Sequence, residues 1–274
     1  MKANLEQVSR TNELHFVKGN ICSFRTIEKV VRRVDAVVHL AAVVSPYLSV
    51  HKPDFTNQVN VAGTLNVLRA TVRHKLSRIV FASSSSVYGE TGSRVHVPEN
   101  ASTNPITPYG ASKLAGEKYC RAFCYTYGIS AVSLRYFNVY GPRQRYNPYS
   151  GVIAIFANRA ARDQRGAIYG DGEQTRDFIN VKDVAKANLC ALAYRGGTGE
   201  SFNIGTGIAT TINELYRMIV NLADKSNLKP IRKPPRIGDI RHSCANVDLA
   251  QNALRFKAEV PLHTGLSFLF NHKR

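Results

Sequence analysis

Short apolar runs alternate with helix-length segments through the first half of the chain. The runs predict strands at about 35–40, 78–82 and 130–136, and the segments between them predict helices at about 54–74 and 109–127. Strands joined by crossover helices are typical of a parallel sheet that carries helices on both faces. The pattern therefore predicts an α/β fold built on a doubly wound parallel sheet.

After about residue 141 this regularity gives way to loops rich in Tyr, Asn and Gly, with helices interspersed. The sequence has no internal repeat, and its one low-complexity tract is a run of four serines at 83–86. We expect the second half to form a smaller domain on the sheet domain.

Length and composition are those of a globular protein, because 274 residues can bury a substantial core. The net charge of +18 is spread along the chain, without a basic arm or a nucleic-acid-binding motif. Solvated surface charge and attraction for small anionic ligands therefore explain it better than a nucleic-acid partner.

The sequence also argues against membrane, secretory and metal-binding classes. Its longest apolar stretch, about 34–44, contains Asp35 and His39 and is too short to cross a bilayer. The first residues lack the apolar core of a signal peptide. The five cysteines form no Cys-x-x-Cys pair, so we expect a reduced, cytoplasmic protein without a metal site.

Tyr109 and Lys113 supply the first chemical signal. Residues four apart on a helix face the same way, so the two side chains lie close together. A nearby ammonium lowers the pKa of a tyrosine hydroxyl, whose ordinary value is about 10. The pair predicts a phenolate base that can take a proton from an alcohol.

The serine run supplies the second signal. It follows the predicted strand at 78–82, and ligands bind at the carboxyl ends of parallel strands. A serine placed there can hydrogen-bond the oxygen that the tyrosine deprotonates. The order Ser, Tyr, Lys predicts a catalytic set of Ser84, Tyr109 and Lys113, whereas the serines alone are equally typical of a turn.

These residues belong to a longer series of motifs. The series includes Val-Val-His-Leu-Ala-Ala at 37–42, Asn-Val-Ala-Gly-Thr at 60–64, Pro-Tyr-Gly-Ala-Ser-Lys at 108–113 and Arg-Ile-Gly-Asp at 236–239. On these motifs the sequence resembles the extended short-chain dehydrogenase/reductases, in particular the NAD-dependent nucleotide-sugar epimerases and dehydratases. The resemblance covers nearly the whole chain. It implies a Rossmann-like NAD-binding domain at 1–140 and about 177–199, and a nucleotide-sugar-binding domain at 141–176 and about 200–274.

One part of the family pattern is missing from the sequence. Members begin with a strand, a Gly-rich turn and a helix whose N-terminal amides hold the cofactor pyrophosphate, followed by a strand that ends in an acidic residue. This chain enters the pattern at about 14–21, where the third strand and its adenine-contacting turn are expected. The absence indicates an incomplete or misassigned start, or a degraded relative.

The resemblance also implies which residues contact NAD and substrate. Asn20 stands where the family usually has Asp, and its amide can still contact adenine. Lys113 also bonds the nicotinamide ribose, and Arg176 and Arg236 grip the substrate diphosphate with bidentate forks. The implied NAD contacts are Asn20, Ile21, Leu40, Ala41, Ala42, Asn60, Ser83, Tyr109, Lys113 and Tyr136. The implied substrate contacts are Ser45, Ser84, Ser85, Asn138, Val152, Ile168, Tyr169, Arg176, Arg236, Asp239 and Ser243.

The implied reaction is epimerisation of a UDP-sugar, normally at C4, through a keto intermediate with NAD kept bound. Dehydratases of the group place an Asp-Glu pair after the catalytic serine, whereas Ser85 and Ser86 stand here. Epimerisation is therefore favoured over dehydration. Ser243, at a position that often gates sugar size, leaves room for an N-acetylated UDP-hexosamine as well as UDP-glucose or UDP-galactose, and UDP-glucuronate stays open.

Relatives commonly form homodimers through helices of the sheet domain, here those at about 60–74 and 113–127.

Two competing classes of function remain. A remnant that binds UDP-sugar without turnover is suggested by the missing Gly-rich unit, and a basic binding protein is suggested by the charge.

Overall fold

The computed structural model describes residue 5 and residues 14–92, 96–144, 151–235 and 239–271. The strands are β1 Ala36–His39, β2 Arg78–Ser84, β3 Ala131–Tyr136, β4 Asn138–Tyr140, β5 Ala167–Tyr169, β6 Thr175–Asn180, β7 Thr198–Ile204, β8 Ala209–Thr211, β9 Ile231–Lys233 and β10 His242–Ser243. The helices are α1 Phe24–Val31, α2 Pro46–His51, α3 Pro53–Asn57, α4 Gly63–Arg73, α5 Pro108–Tyr127, α6 Val152–Ala160, α7 Val181–Ala193, α8 Ile212–Leu222, α9 Asp248–Leu254 and α10 Leu262–Asn271. A π-helical turn, Gln58–Ala62, joins α3 to α4, and a 3₁₀ turn, Ser85–Val87, follows β2.

Four parallel strands form the main sheet in the order β1-β2-β3-β7. Alternate residues of β2 face opposite layers of helices. Ile79 and Phe81 pack with α4 and α5, whereas Val80 packs with α7 and α9. A strand covered on both faces buries nearly every residue, which explains the continuous apolar run of its sequence. The predicted doubly wound parallel sheet is confirmed.

Strand β2 extends two residues beyond its predicted end. Its final residues, Ser83 and Ser84, continue to pair with Arg135 and Tyr136 of β3. Hydrogen bonding to the neighbouring strand is thus maintained where the apolar pattern stops. The two serines are therefore held by the sheet itself, and the turn begins at Ser85.

The strand expected at about 14–21 does not form. Residues 14–20 are exposed and irregular, and residues 21–22 lie in a turn. A strand needs a neighbour to satisfy its backbone groups. In the strand order 3-2-1-4 the expected third strand pairs with the second, and the described residues contain no such strand beyond β1.

Helix α5 carries the predicted catalytic pair and lies close against β2. Thr107 caps its N-terminus by accepting from the Gly110 amide at 3.1 Å, and Gly128 ends it in the left-handed conformation, φ 69°. Gly116 permits the close approach, because a Cβ at this position would come within 2.3 Å of the Phe81 ring.

The second half builds a smaller sheet and its own core. Strands β10, β6 and β4 run parallel, and β8 pairs antiparallel with β6, while β5 pairs with β9. Helices α6, α8 and α10 pack over an apolar cluster that includes Phe156, Leu215 and Leu266. Because β7 continues in the main sheet to Ile204, that sheet extends past the boundary predicted at about residue 199.

Candidate active site

A cavity of about 870 Å³ lies where β2 and β3 end. Residues of α5, α6 and β4–β6 complete its wall, so it opens between the main sheet and the smaller one. It brings together most of the residues predicted from the sequence. Those that line it are Ser83, Ser84, Ser85, Tyr109, Tyr136, Asn138, Val152, Ile168, Tyr169, Arg176 and Asp239.

Tyr109 and Ser84 lie next to each other in the wall of this cavity, where their hydroxyls interact. Tyr109 is buried, with 8% of its surface exposed. The Ser84 hydroxyl also accepts from the Ser86 amide at 3.2 Å, which fixes its position. Burial raises the pKa of the Tyr109 hydroxyl, and the hydrogen bond with Ser84 acts in the opposite direction. The lowered pKa predicted from the Tyr-to-Lys spacing is therefore wrong for this structure, because a phenolate is costly in a dry pocket.

Lys113 lies one helical turn after Tyr109 and is also buried. Its ammonium donates to the Ala82 carbonyl at 2.7 Å and stands 5.1 Å from the centre of the Phe81 ring. Burial lowers the pKa of Lys113 to about 8. Lys113 thus places a cation one helical turn from Tyr109 and joins α5 to the end of β2.

His39, the last residue of β1, is buried near Lys113. Its Nε2 is 3.0 Å from the Thr64 hydroxyl, and its ring contacts Phe81. Burial, and then the charge of Lys113, lowers the pKa of His39 to about 4. We therefore expect a neutral imidazole in the folded protein at neutral pH.

This histidine makes stability depend on pH. The unfolded chain binds a proton at the ordinary pKa of 6.5, and the folded chain at about 4, so stability falls as pH falls through this range. Between pH 7.5 and 5 the contribution of His39 amounts to about 2 kcal/mol. Urea unfolding at both pH values should show His39→Gln losing about 2 kcal/mol less than the unmodified protein. Equal losses in the two proteins would contradict this assignment.

The residues expected to contact NAD lie in different environments. Leu40 and Ala41 are exposed beyond the end of β1. Asn60 is buried, and both of its amide hydrogens are donated, to the Val43 carbonyl at 3.0 Å and the Ser112 hydroxyl at 2.9 Å. The amide oxygen of Asn60 accepts from the Val43 amide, so this side chain anchors the loop after β1 to α5.

Three other expected contacts also have protein partners. Asn20 accepts from the Cys22 amide at 2.9 Å, and the Ile21 carbonyl accepts from Asn66 at 3.0 Å. The Tyr136 hydroxyl donates to Asn188 at 2.9 Å, and burial raises the pKa of Tyr136 to about 12. These contacts stay predictions, since each residue keeps part of its surface accessible.

The described residues fit one half of NAD. The small residues Ala41 and Ala42 stand at the end of β1, beside the layer that holds Tyr109 and Lys113, and this arrangement suits the nicotinamide and its ribose. Within 14–92, no Gly-rich turn leads from a strand into a helix next to β1. The adenine and pyrophosphate half of the cofactor therefore lacks its usual phosphate-binding turn within the described residues.

The residues expected to contact substrate include two of the charged residues in the cavity wall. Arg176 and Asp239, expected to contact substrate separately, form an ion pair at 2.5 Å. Ser45 accepts from the Leu48 amide at 3.1 Å as the cap of α2, and Ser243 pairs in β10 beside Arg176. Neither serine contributes to the cavity wall, and Arg236 lies outside the described residues.

Sequence reasoning missed a buried charged pair and several cavity residues. Glu117 and Arg135 lie behind the catalytic set, joined by two hydrogen bonds of 2.9 and 2.7 Å. An arginine inside the apolar strand β3 was the available signal, because a buried charge needs a partner. The missed polar residues of the cavity wall are Gln144, Arg159, Gln174 and Lys233.

Known proteins resemble this chain over most of its length. Residues 1–205 match the NAD dependent epimerase/dehydratase family. A putative UDP-glucose 4-epimerase of Methanocaldococcus jannaschii is 39% identical over 258 residues, which make up 93% of this chain and 83% of that protein.

Two solved structures show the same fold. The UDP-glucose 4-epimerase of Thermotoga maritima with UDP-glucose has a TM-score of 0.92 and 35% identity, over 97% of this chain and 87% of that one. The UDP-glucose 4-epimerase of Thermus thermophilus in complex with NAD has a TM-score of 0.86 and 30% identity, over 99% and 93% of the two chains. This chain therefore belongs to the NAD dependent epimerase/dehydratase family.

Proposed function

We propose that the protein epimerises a UDP-sugar at C4, with NAD as the cofactor. The observation that carries the proposal is the neighbouring pair Ser84 and Tyr109 in the cavity wall, with Lys113 one helical turn after Tyr109. The Thermotoga maritima relative bound to UDP-glucose supports the choice of substrate class.

The residues divide the chemistry between them. Tyr109 takes the proton of the sugar hydroxyl that is oxidised and returns it when the keto group is reduced. Ser84 hydrogen-bonds the same oxygen, and Lys113 holds positive charge behind Tyr109. When bound, NAD supplies a hydride acceptor that later serves as the donor. Tyr109, Lys113 and the loop after β1 would hold its nicotinamide ribose.

The composition of the cavity wall supports epimerisation over dehydration. Elimination of water needs an acid next to the reacting carbon. Of the described residues in the wall, Asp239 alone carries a carboxylate, and it is paired with Arg176. Ser85 and Ser86 stand beside Ser84 and cannot supply that acid.

The size of the sugar is a separate part of the proposal. The cavity of about 870 Å³ leaves room for UDP-N-acetylglucosamine and UDP-N-acetylgalactosamine as well as for UDP-glucose and UDP-galactose. Nuclear magnetic resonance of purified protein with NAD and either UDP-galactose or UDP-N-acetylgalactosamine tests both pairs. A new anomeric signal from the C4 epimer supports the proposal, and unchanged spectra with both sugars contradict it.

Arg176 is expected to bind the substrate diphosphate. The Arg176 side chain lines the cavity, and 15% of its surface is exposed. An oxyanion in the cavity can therefore replace Asp239 as the partner of its guanidinium. Replacing Arg176 with Ala should weaken UDP binding by about 10- to 100-fold, as expected for lost hydrogen bonds to a charged group. Calorimetric titration with UDP measures the loss.

Arg241→Ala is the matched control for Arg176→Ala. Arg241 also pairs with an aspartate, Asp171 at 2.7 Å, but it lies outside the cavity wall. UDP affinity should therefore be retained in this variant. Equal weakening in both variants would show that Arg176 acts through general charge.

A specific observation favours a second candidate function, binding of a UDP-sugar without turnover. Residues 14–20 are irregular, and the described residues place no phosphate-binding turn beside β1. Melting temperatures with NAD and, separately, with UDP distinguish the two candidates, because a ligand raises the melting temperature when it binds the folded state. Stabilisation by both supports the epimerase, and stabilisation by UDP alone supports the binding protein.

A further inference from the structure

Three consecutive residues at the end of β2 each contact α5. The Ala82 carbonyl accepts from Lys113 at 2.7 Å, the Ser83 hydroxyl donates to Glu117, and the Ser84 hydroxyl lies beside that of Tyr109. The three helix residues are spaced four apart, so they lie on one face in successive turns. The end of β2 therefore contacts three successive turns of α5, on the face that carries Tyr109 and Lys113.

The Ser83 hydroxyl, which is expected to contact NAD, also has a partner inside the protein. It donates to a Glu117 carboxylate oxygen at 2.5 Å, and both residues are buried, with 3% and 4% of their surfaces exposed. A hydroxyl has a single hydrogen to donate, and this one is directed into α5. The predicted contact of Ser83 with NAD stays a prediction, because the hydroxyl oxygen keeps lone pairs that can accept.

Glu117 is a rigid point for that bond because the main sheet holds it from two further strands. Arg135 of β3 donates to both of its oxygens, at 2.9 and 2.7 Å, and Ser201 of β7 donates to one of them at 3.2 Å. Arg135 in turn donates to the Tyr88 hydroxyl at 2.8 Å. Two hydroxyls, those of Ser83 and Ser201, donate to this carboxylate. Ser83 directly precedes Ser84 in the sequence, whereas Ser201 lies on β7.

We propose that Ser83 is a positioning residue. Its bond to Glu117 holds the end of β2 against α5, and this places the Ser84 hydroxyl beside the Tyr109 hydroxyl. The inference rests on the proposed function for its effect on turnover, since Ser84 and Tyr109 act on the same substrate oxygen. Small errors in the placement of reacting groups reduce rates steeply. Ser83 thereby acts on the reaction through its neighbour Ser84.

The test compares Ser83→Ala with Ser201→Ala. Each variant removes one hydroxyl from the same carboxylate, and Glu117 keeps Arg135 and one serine in both. The melting temperatures should therefore fall by similar amounts. In Ser83→Ala alone, kcat should fall on the order of tenfold with KM unchanged.

A second readout does not depend on turnover. In protein labelled with ¹³C at the tyrosine ζ carbon, the Tyr109 resonance is identified by its loss in Tyr109→Phe. This resonance reports the hydrogen bond at the Tyr109 hydroxyl, and we expect it to move in Ser83→Ala and to stay in place in Ser201→Ala. Where Ser83→Ala is obtained unfolded, Ser83→Cys gives the same comparison, because a thiol is a weak donor of similar size.

The outcomes separate the two proposals. Equal changes in both variants, or an unmoved Tyr109 resonance in Ser83→Ala, would overturn the positioning role. Absence of turnover in the unmodified protein would instead overturn the proposed function, while the resonance comparison would still decide whether Ser83 positions Ser84 against Tyr109.

Discussion

Replacing Tyr109 with Phe is expected to lower the rate of UDP-sugar epimerisation by about 10²- to 10⁴-fold, the contribution typical of a general base. The substitution removes the hydroxyl that lies beside Ser84 and keeps the ring in the cavity wall. Substrate affinity should change little, because the ring fills the same space. Steady-state kinetics on UDP-galactose and a UDP titration measure the two quantities.

Tyr140→Phe is the control for this substitution. Tyr140 lines the same cavity, and its hydroxyl donates to the Leu262 carbonyl at 3.4 Å. Its loss should change the rate by no more than a few fold. A rate in Tyr109→Phe close to that of the unmodified protein would exclude Tyr109 as the base.

The buried pair of Glu117 and Arg135 is expected to dominate the response of stability to mutation. Burial alone would lower the pKa of Arg135, but the hydrogen bonds and charge of Glu117 raise it overall. Replacing one partner, as in Glu117→Leu or Arg135→Met, leaves an uncompensated charge in the core. Each single variant should lose about 3–5 kcal/mol of unfolding free energy.

The double variant should lose much less than the sum of the two single losses, because no buried charge remains. Urea unfolding of the four proteins gives the coupling between the sites. Lys186→Ala, which breaks an exposed pair with Glu259, should leave stability nearly unchanged. A loss in Glu117→Leu as small as that in Lys186→Ala would contradict the buried-pair assignment.

The local features of the site were predictable because they depend on residues near one another in the sequence. Helix periodicity places Tyr109 and Lys113 on one face, and the apolar run before the serines places Ser84 at the end of a strand. The contacts of Glu117 were not predictable in this way. They join α5 to residues 18, 34 and 84 positions away along the chain.

The two errors have a related cause. The strand that the family resemblance implies at about 14–21 lacks its neighbouring strand within the described residues, and the lowered pKa predicted for Tyr109 ignored burial, which only the folded chain reveals. The predicted pairing of two copies through the helices at about 60–74 and 113–127 stays a prediction. Within the described residues, no helix has both the length and the apolar character needed to cross a membrane.

The central claim is that the same sugar carbon is first oxidised and then reduced, and that Tyr109 removes and returns its hydroxyl proton. The most direct measurement uses UDP-galactose carrying deuterium at C4, incubated with the protein and NAD. We predict UDP-glucose that retains the deuterium at C4, because the hydride removed from this carbon is returned to it. UDP-glucose with hydrogen at C4, or no UDP-glucose at all, would contradict the account.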